Sequence, residues 1–140
     1  MERFLTLLQS FSTENTARGR QFEGLCKWLL ENHPLYRSKL KEIWLWDDWP
    51  GRWGRDCGID LVAEDTDGQI WAIQAKCYSP QYSVTKQDVD SFLSESSNGK
   101  IHHRLLIATT DGMGANAKGV ISRQNETKPI YQMMLSDLLE

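Results

Sequence analysis

The stretch from Gly58 to Lys76 constrains this chain more than any other. It reads Gly58-Ile59-Asp60-Leu61-Val62-Ala63-Glu64, then Asp65-Thr66-Asp67-Gly68, then Gln69-Ile70-Trp71-Ala72-Ile73-Gln74-Ala75-Lys76. Two β-prone apolar runs flank a turn containing Asp-Gly, a pair that tolerates the positive φ of tight turns. The pattern predicts a β-hairpin. Both arms carry polar residues where core strands should not. Asp60 lies between Ile59 and Leu61, and Gln74 and Lys76 stand on either side of Ala75. Residues two apart on a strand face the same side, and folding the arms about Asp67-Gly68 brings Asp60 roughly opposite Gln74. A carboxylate, an amide and an ammonium thus converge at one end of one sheet face. A buried charge is costly unless it is paired or metal-bound. Two readings stand: a metal site with a catalytic lysine, or an Asp60–Lys76 ion pair on a solvated face.

A chain of 140 residues suits one domain with a moderate core. With 16 Lys and Arg against 19 Asp and Glu, the net charge is -3. No global basic field announces a nucleic-acid binder. Cys26, Cys57 and Cys77 cannot all pair and show no CxxC spacing, so the chain reads as reduced and cytoplasmic. It has no apolar run long enough to span a bilayer, and its start lacks the pattern of a signal peptide.

The remaining elements follow from periodicity. Phe4, Leu7, Leu8 and Phe11 have helical spacing, and capping residues at positions 12–16 interrupt them. A second helix is expected over Ala17–Glu31, with Phe22, Leu25, Cys26 and Leu29 as its apolar stripe and His33-Pro34 as its end. Glu23 lies beside that stripe, where a solvated helix face is the plain alternative to a functional role. Ile43–Trp46 reads as a short strand. The loop that follows, Asp47 to Cys57, is rich in Trp, Arg and Gly. Its Arg52 and Arg55 are candidates for phosphate contacts. Its Trp49 and Trp53 are candidates either for stacking on bases or for capping the core. Asp47 and Asp48 are candidates for a metal site or plain surface acids.

Beyond the hairpin, Val84 to Asp88 is expected to open a helix whose apolar face is Val89, Phe92 and Leu93, with Thr85 and Asp88 forming a capping box. It should end near Ser96–Gly99. A buried strand over Arg104–Thr110, a helix over Gly114–Ile121 and a last strand over Ile130–Met133 complete the order. Ser136 is read as the cap of an unfinished helix, so the chain is expected to be a fragment of a longer one. Gly112, Gly114 and Ala117 match a loose dinucleotide fingerprint, but late in the order of strands and with no acidic residue about twenty positions on. His102-His103 reads as a solvated loop. Cys57 and Cys77 lack further ligands for zinc and read as buried thiols.

Gly58-Ile59-Asp60, followed after the turn by Gln74-Ala75-Lys76, resembles the motif of Mrr-like restriction endonucleases, a branch of the PD-(D/E)xK superfamily. Gly19-Arg20-Gln21-Phe22-Glu23 resembles the family's first helix and its glutamate, and the order of elements after Lys76 fits as well. The resemblance covers Gly19 to Leu139. It implies an α/β three-layer restriction-endonuclease-like fold over 1–140, with a central mixed sheet flanked by helices. It implies an Mg²⁺-dependent endodeoxyribonuclease module of a restriction system acting on double-stranded DNA. The nuclease domains of large single-chain enzymes that also carry a helicase-like motor and a methyltransferase look most similar. On this resemblance Asp60 ligates Mg²⁺, Gln74 contributes its side-chain oxygen or orients a metal-bound water, Ala75 offers its carbonyl, and Glu23 holds the metal through water. Lys76 positions the attacking water or stabilises charge on the phosphate. Arg52, Arg55 and Lys86 are the expected DNA contacts. Gln74 stands where Asp or Glu is commoner, which removes one negative charge and favours one well-held Mg²⁺ over a two-metal clamp. The alternative is a non-catalytic DNA-binding or docking domain on the same fold.

Overall fold

The computed structural model describes residues 2–54 and 58–139. In chain order the elements are α1 (Glu2–Gln9), α2 (Asn15–Asn32), α3 (Pro34–Lys39), β1 (Leu40–Leu45) and a 3₁₀ turn at Trp46–Asp48. Then come β2 (Leu61–Asp65), β3 (Ile70–Lys76), β4 (Ser83–Val84), α4 (Lys86–Glu95) and β5 (His103–Ala108). The chain continues through β6 (Gly112–Met113), α5 (Ala115–Asn125), β7 (Ile130–Met133) and α6 (Leu135–Leu138).

The hairpin forms as its turn chemistry requires. Leu61 pairs with Ile73 and Glu64 with Ile70, antiparallel. Gly68 closes the turn at φ +79°, where a side chain would be strained. Asp65 holds it together. Its Oδ1 accepts the N–H groups of Asp67 and Gln69, each at 2.9 Å, and its Oδ2 accepts the Trp71 indole N–H at 3.0 Å.

The main sheet has the order β1-β2-β3-β5-β7. Its β1–β2 and β2–β3 pairings are antiparallel, and β3–β5 and β5–β7 are parallel. The hairpin therefore occupies the centre of a mixed sheet, with both strands hydrogen-bonded on each side. That explains why β2 and β3 are nearly continuous apolar runs. On one face Leu61, Ala63, Ile73, Leu105 and Ile107 pack against Phe22, Cys26 and Leu30 of α2. On the other, Val62, Ala72 and Leu106 pack against Val89, Phe92 and Leu93 of α4 and Ile121 of α5. This is the expected three-layer α/β fold. Among the described residues no helix is long and apolar enough to cross a membrane.

Several local expectations need correction. Pro34 ends α2 but also begins α3: it sits in the first turn, where its missing N–H costs nothing, and the His33 ring accepts the Leu35 N–H at 3.2 Å. Val84 is not helical. With Ser83 it forms β4, paired in parallel with β6, while the capping box of Thr85 and Asp88 starts α4 as expected. His103 is not in a solvated loop. It opens β5, packs against Trp71 with ring centroids 4.8 Å apart and planes tilted by 32°, and pairs its Nε2 with Gln69 Oε1 at 2.6 Å. Ser136 does not cap α6 but lies within it and donates its hydroxyl to Asp111 Oδ2 at 2.6 Å, while Asp137 accepts the Met134 N–H. Cys77 is half-buried, not buried, and Cys57 lies outside the described residues.

Candidate active site

Asp60 immediately precedes β2 and Lys76 ends β3, so both lie at the same end of the hairpin. Lys76 pairs with Ala108 at the carboxyl end of β5, and the carboxyl edge of parallel strands is where α/β sheets place their ligands. The backbone fixes Asp60 from both sides. Its N–H donates to Ile73 O and its carbonyl accepts the Trp46 N–H, each at 2.9 Å. Its carboxylate turns back to the hairpin, where Oδ2 accepts the Ala75 N–H at 2.8 Å. Burial pushes its pKa up, against the pull of that N–H and of Lys76. Two residues before Asp60 the backbone runs close against α4. Gly58 has φ +86°, and a Cβ there would stand 3.0 Å from Ser91 Cβ and 3.1 Å from Phe92 N in α4.

Extending the register from Leu61–Ile73 sets Gln74 opposite Asp60. Gln74 is 1% exposed. Its Nε2 donates to the Asp88 main-chain carbonyl at 3.4 Å, and its Oε1 is buried with no hydrogen-bond donor. Lys76, half-buried, lies within electrostatic reach of Glu23, Asp60 and Asp88. Among the described residues it forms no ion pair, so an Asp60–Lys76 pair is not what stabilises this end of the sheet.

Glu23 comes from α2 and is half-buried, not on a solvated face. Burial and then the Asp60 carboxylate push its pKa up to about 7, while Lys76 and Arg20 act in the opposite direction. Glu23 and Asp60 share an open cleft of about 580 Å³ with Asn15, Arg20, Asp47 and Asp48. Arg20 escaped the sequence reading. The available signal was its place one helical turn before Glu23, on the same face. Among the described residues no cluster of three or more acidic, His or Cys side chains is poised to hold a metal.

The remaining sequence candidates lie apart. Arg52 is exposed, donates Nη1 to Trp49 O at 3.1 Å and does not line the cleft. Lys86 pairs with Asp90 at 3.1 Å on the exposed side of α4. Arg55 lies outside the described residues. Trp49 is buried and packs with Trp46 and Trp53 in one aromatic cluster, so it caps the core and does not offer a free stacking face.

A model of the restriction endonuclease family, of the Mrr type, matches residues 31–140, and the chain belongs to that family of endonucleases. Glu23 precedes the matched segment. The chain is similar to the ATP-dependent Type ISP restriction-modification enzyme LlaBIII, solved bound to DNA, at 36% identity and a TM-score of 0.74 over 86% of this chain. The MspJI restriction endonuclease, in complex with a 27-mer oligonucleotide, shares 18% identity at a TM-score of 0.61 over 98% of this chain. The DNA modification-dependent restriction endonuclease AspBHI shares 17% identity at 0.57 over 85%. The latter two show the fold. The chain spans 8% of the LlaBIII chain and 29% of each of the other two. No curated protein matches it.

Proposed function

We propose that this domain hydrolyses phosphodiester bonds of double-stranded DNA with Mg²⁺ as cofactor, as the nuclease module of a restriction enzyme. The observation that carries the reading is Gln74. A fully buried amide oxygen without a donor forfeits about 1–3 kcal/mol, and it sits opposite a carboxylate at one end of the central hairpin of a restriction-endonuclease fold. Carboxylate, amide and carbonyl oxygens are the donors a hard cation takes, and Mg²⁺ is commonly held by one or two carboxylates with waters completing its shell. Asp60, Gln74 and the Ala75 carbonyl would hold it directly, and Glu23 through water. Bound there, Mg²⁺ supplies an acidified water and charge neutralisation at the phosphate. Lys76 then has two tasks for which an ammonium is suited: orienting the attacking water and offsetting charge that develops on the phosphate oxygens. Arg20, exposed at the mouth of the cleft, steers a phosphate toward Asp60.

The similarity to LlaBIII supports a module joined to a helicase-like motor and a methyltransferase. The free thiols of Cys26 and Cys77 suit the cytoplasm. The test is cleavage of supercoiled plasmid by the chain in Mg²⁺ or Mn²⁺. Cutting should stop with a chelator, fall to background in Asp60→Ala, and fall about 10²–10³-fold in Lys76→Ala. Wild-type cutting by Asp60→Ala would overturn the mechanism. DNA binding with no cutting under any divalent cation would support the non-catalytic docking domain instead.

A further inference from the structure

We propose that the first turn of α4 is the positioning element of this site, with Asp88 and Tyr82 holding the Gln74 amide in the orientation a cation requires. The proposal rests on the metal-site reading above. A side-chain amide has a donor end and an acceptor end, and nothing in the strand itself decides which faces the site. Asp88 decides it. Its main-chain carbonyl can only accept, so Gln74 Nε2 must face it, as it does at 3.4 Å. Oε1 is thereby left on the other side, buried and without a donor.

Asp88 is in turn fixed more firmly than a helix cap needs. Its N–H donates to Thr85 Oγ1 at 3.2 Å and its Oδ2 accepts the Thr85 N–H at 2.8 Å, which completes the capping box. Beyond the box, the same Oδ2 accepts the Tyr82 hydroxyl at 2.7 Å. The Tyr82 ring stacks on Tyr78 at 4.4 Å, and Tyr78 is two residues beyond Lys76. The chain leaving β3 is therefore tied back to α4 through a ring stack and a phenol–carboxylate bond. Asp88 itself stays below the ordinary carboxylate range: burial raises it, but Thr85, Tyr82 and Lys76 outweigh burial. An ionised Asp88 is also a third carboxylate within electrostatic reach of Lys76, besides Asp60 and Glu23. Tyr82 and Asp88 are positioning residues, acting through Gln74 and Lys76 and not on the substrate.

Two measurements on this chain test the proposal. The first is calorimetric Mn²⁺ titration of wild type, Tyr82→Phe and Asp88→Asn, each repeated in a Gln74→Ala background, with Asp60→Ala as reference. Tyr82→Phe should weaken Mn²⁺ binding roughly tenfold, as loss of an outer-shell partner does, and should have almost no further effect once Gln74 is Ala. Asp88→Asn, which keeps an oxygen for the Thr85 N–H, should show the same non-additivity. An equal loss in both backgrounds, or none in wild type, overturns the proposal. The second is the side-chain amide NMR signal of Gln74 without metal. Tyr82→Phe should shift and broaden it while leaving that of Gln132 in place, and an unmoved Gln74 signal overturns the proposal whatever the titrations give. Absence of Mn²⁺ binding in wild type, or binding by Asp60→Ala equal to wild type, would instead remove the metal-site reading on which the proposal stands.

Discussion

Glu23 shows what it costs to bury one carboxylate beside another. Burial and Asp60 push its pKa up to about 7, against 4.5 for an ordinary glutamate. Between those values the folded chain binds a proton that the unfolded chain releases. Stability therefore falls as pH rises from about 4.5 to about 7, and the loss is complete above 7. Solvent screening of this half-exposed group trims the loss to about 1–2 kcal/mol. Glu23→Gln is expected to raise the metal-free Tm at pH 8 and to leave it nearly unchanged at pH 4.5. Equal effects in melts at both pH values would contradict burial of charge as the cause. Gln74→Glu follows the same logic. A Glu there restores the commoner motif and adds a negative charge that favours a divalent cation. The structure adds a penalty: the Asp88 carbonyl would face a carboxylate oxygen in place of the Nε2 donor. Without metal the variant should lose about 1–3 kcal/mol, and added Mn²⁺ should raise its Tm by more than it raises that of wild type. A metal-free Tm equal to wild type would show that the Nε2–carbonyl bond contributes nothing. At this scale the gathering of Asp60, Gln74 and Lys76 at one end of the hairpin was legible, because the strand period and the Asp67-Gly68 turn place them there. The amide's orientation was not, since it depends on a helix carbonyl fourteen residues away.

The hairpin carries the candidate site, and two glycines measure how tightly it is held. Gly68 and Gly58 both have positive φ, but a Cβ at Gly68 meets open space while one at Gly58 presses on Ser91 and the Phe92 backbone. Gly68→Ala should cost about 1–2 kcal/mol, the cost of a left-handed residue. Gly58→Ala should cost more, because α4 must move as well, and it should weaken metal binding by displacing Asp60. Urea unfolding of the two variants gives the comparison, and equal losses would contradict the close approach to α4. Asp65→Ala removes the acceptor for three hydrogen bonds and should destabilise the fold by about 2–4 kcal/mol. Burial raises the Asp65 pKa, but the Trp71, Gln69 and Asp67 donors outweigh it and the net shift is downward. Its stabilisation is thus present above the ordinary aspartate range and is lost as pH falls through the folded value, so the variant should lose less stability than wild type on acidification. The hairpin, α2, α4, β5 and β7 were legible from periodicity and capping chemistry. The strands β4 and β6 were not, because two-residue strands exist only through their mutual pairing. Nor was α3, because Pro34 reads equally as a stop and as a first turn.

The molecule as a whole carries 19 acids against 16 bases, and its site end gathers Glu23, Asp47, Asp48 and Asp60 around one cleft. Non-specific DNA affinity comes mostly from cations that displace phosphate counterions. The isolated chain is therefore expected to bind duplex DNA weakly and without sequence preference, with divalent cations strengthening binding by neutralising the cleft. A dissociation constant below about 10⁻⁸ M at physiological salt with strong site preference, the range of dedicated specific binders, would show that the domain carries its own recognition. The three-layer mixed sheet was legible through the resemblance to Mrr-like endonucleases, which the order of elements after Lys76 helped to carry. The charge balance gave no hint of a DNA enzyme, because one local cleft is invisible in a net sum. The proposed cation site joins Asp60, Gln74 and Glu23 at the end of the central hairpin. Crystals of this chain soaked in Mn²⁺ test it by anomalous diffraction. A single strong peak is expected, bonded to an Asp60 carboxylate oxygen, facing Gln74 Oε1, and absent in Asp60→Ala. No peak there at saturating Mn²⁺, or an equal peak in Asp60→Ala, would contradict it.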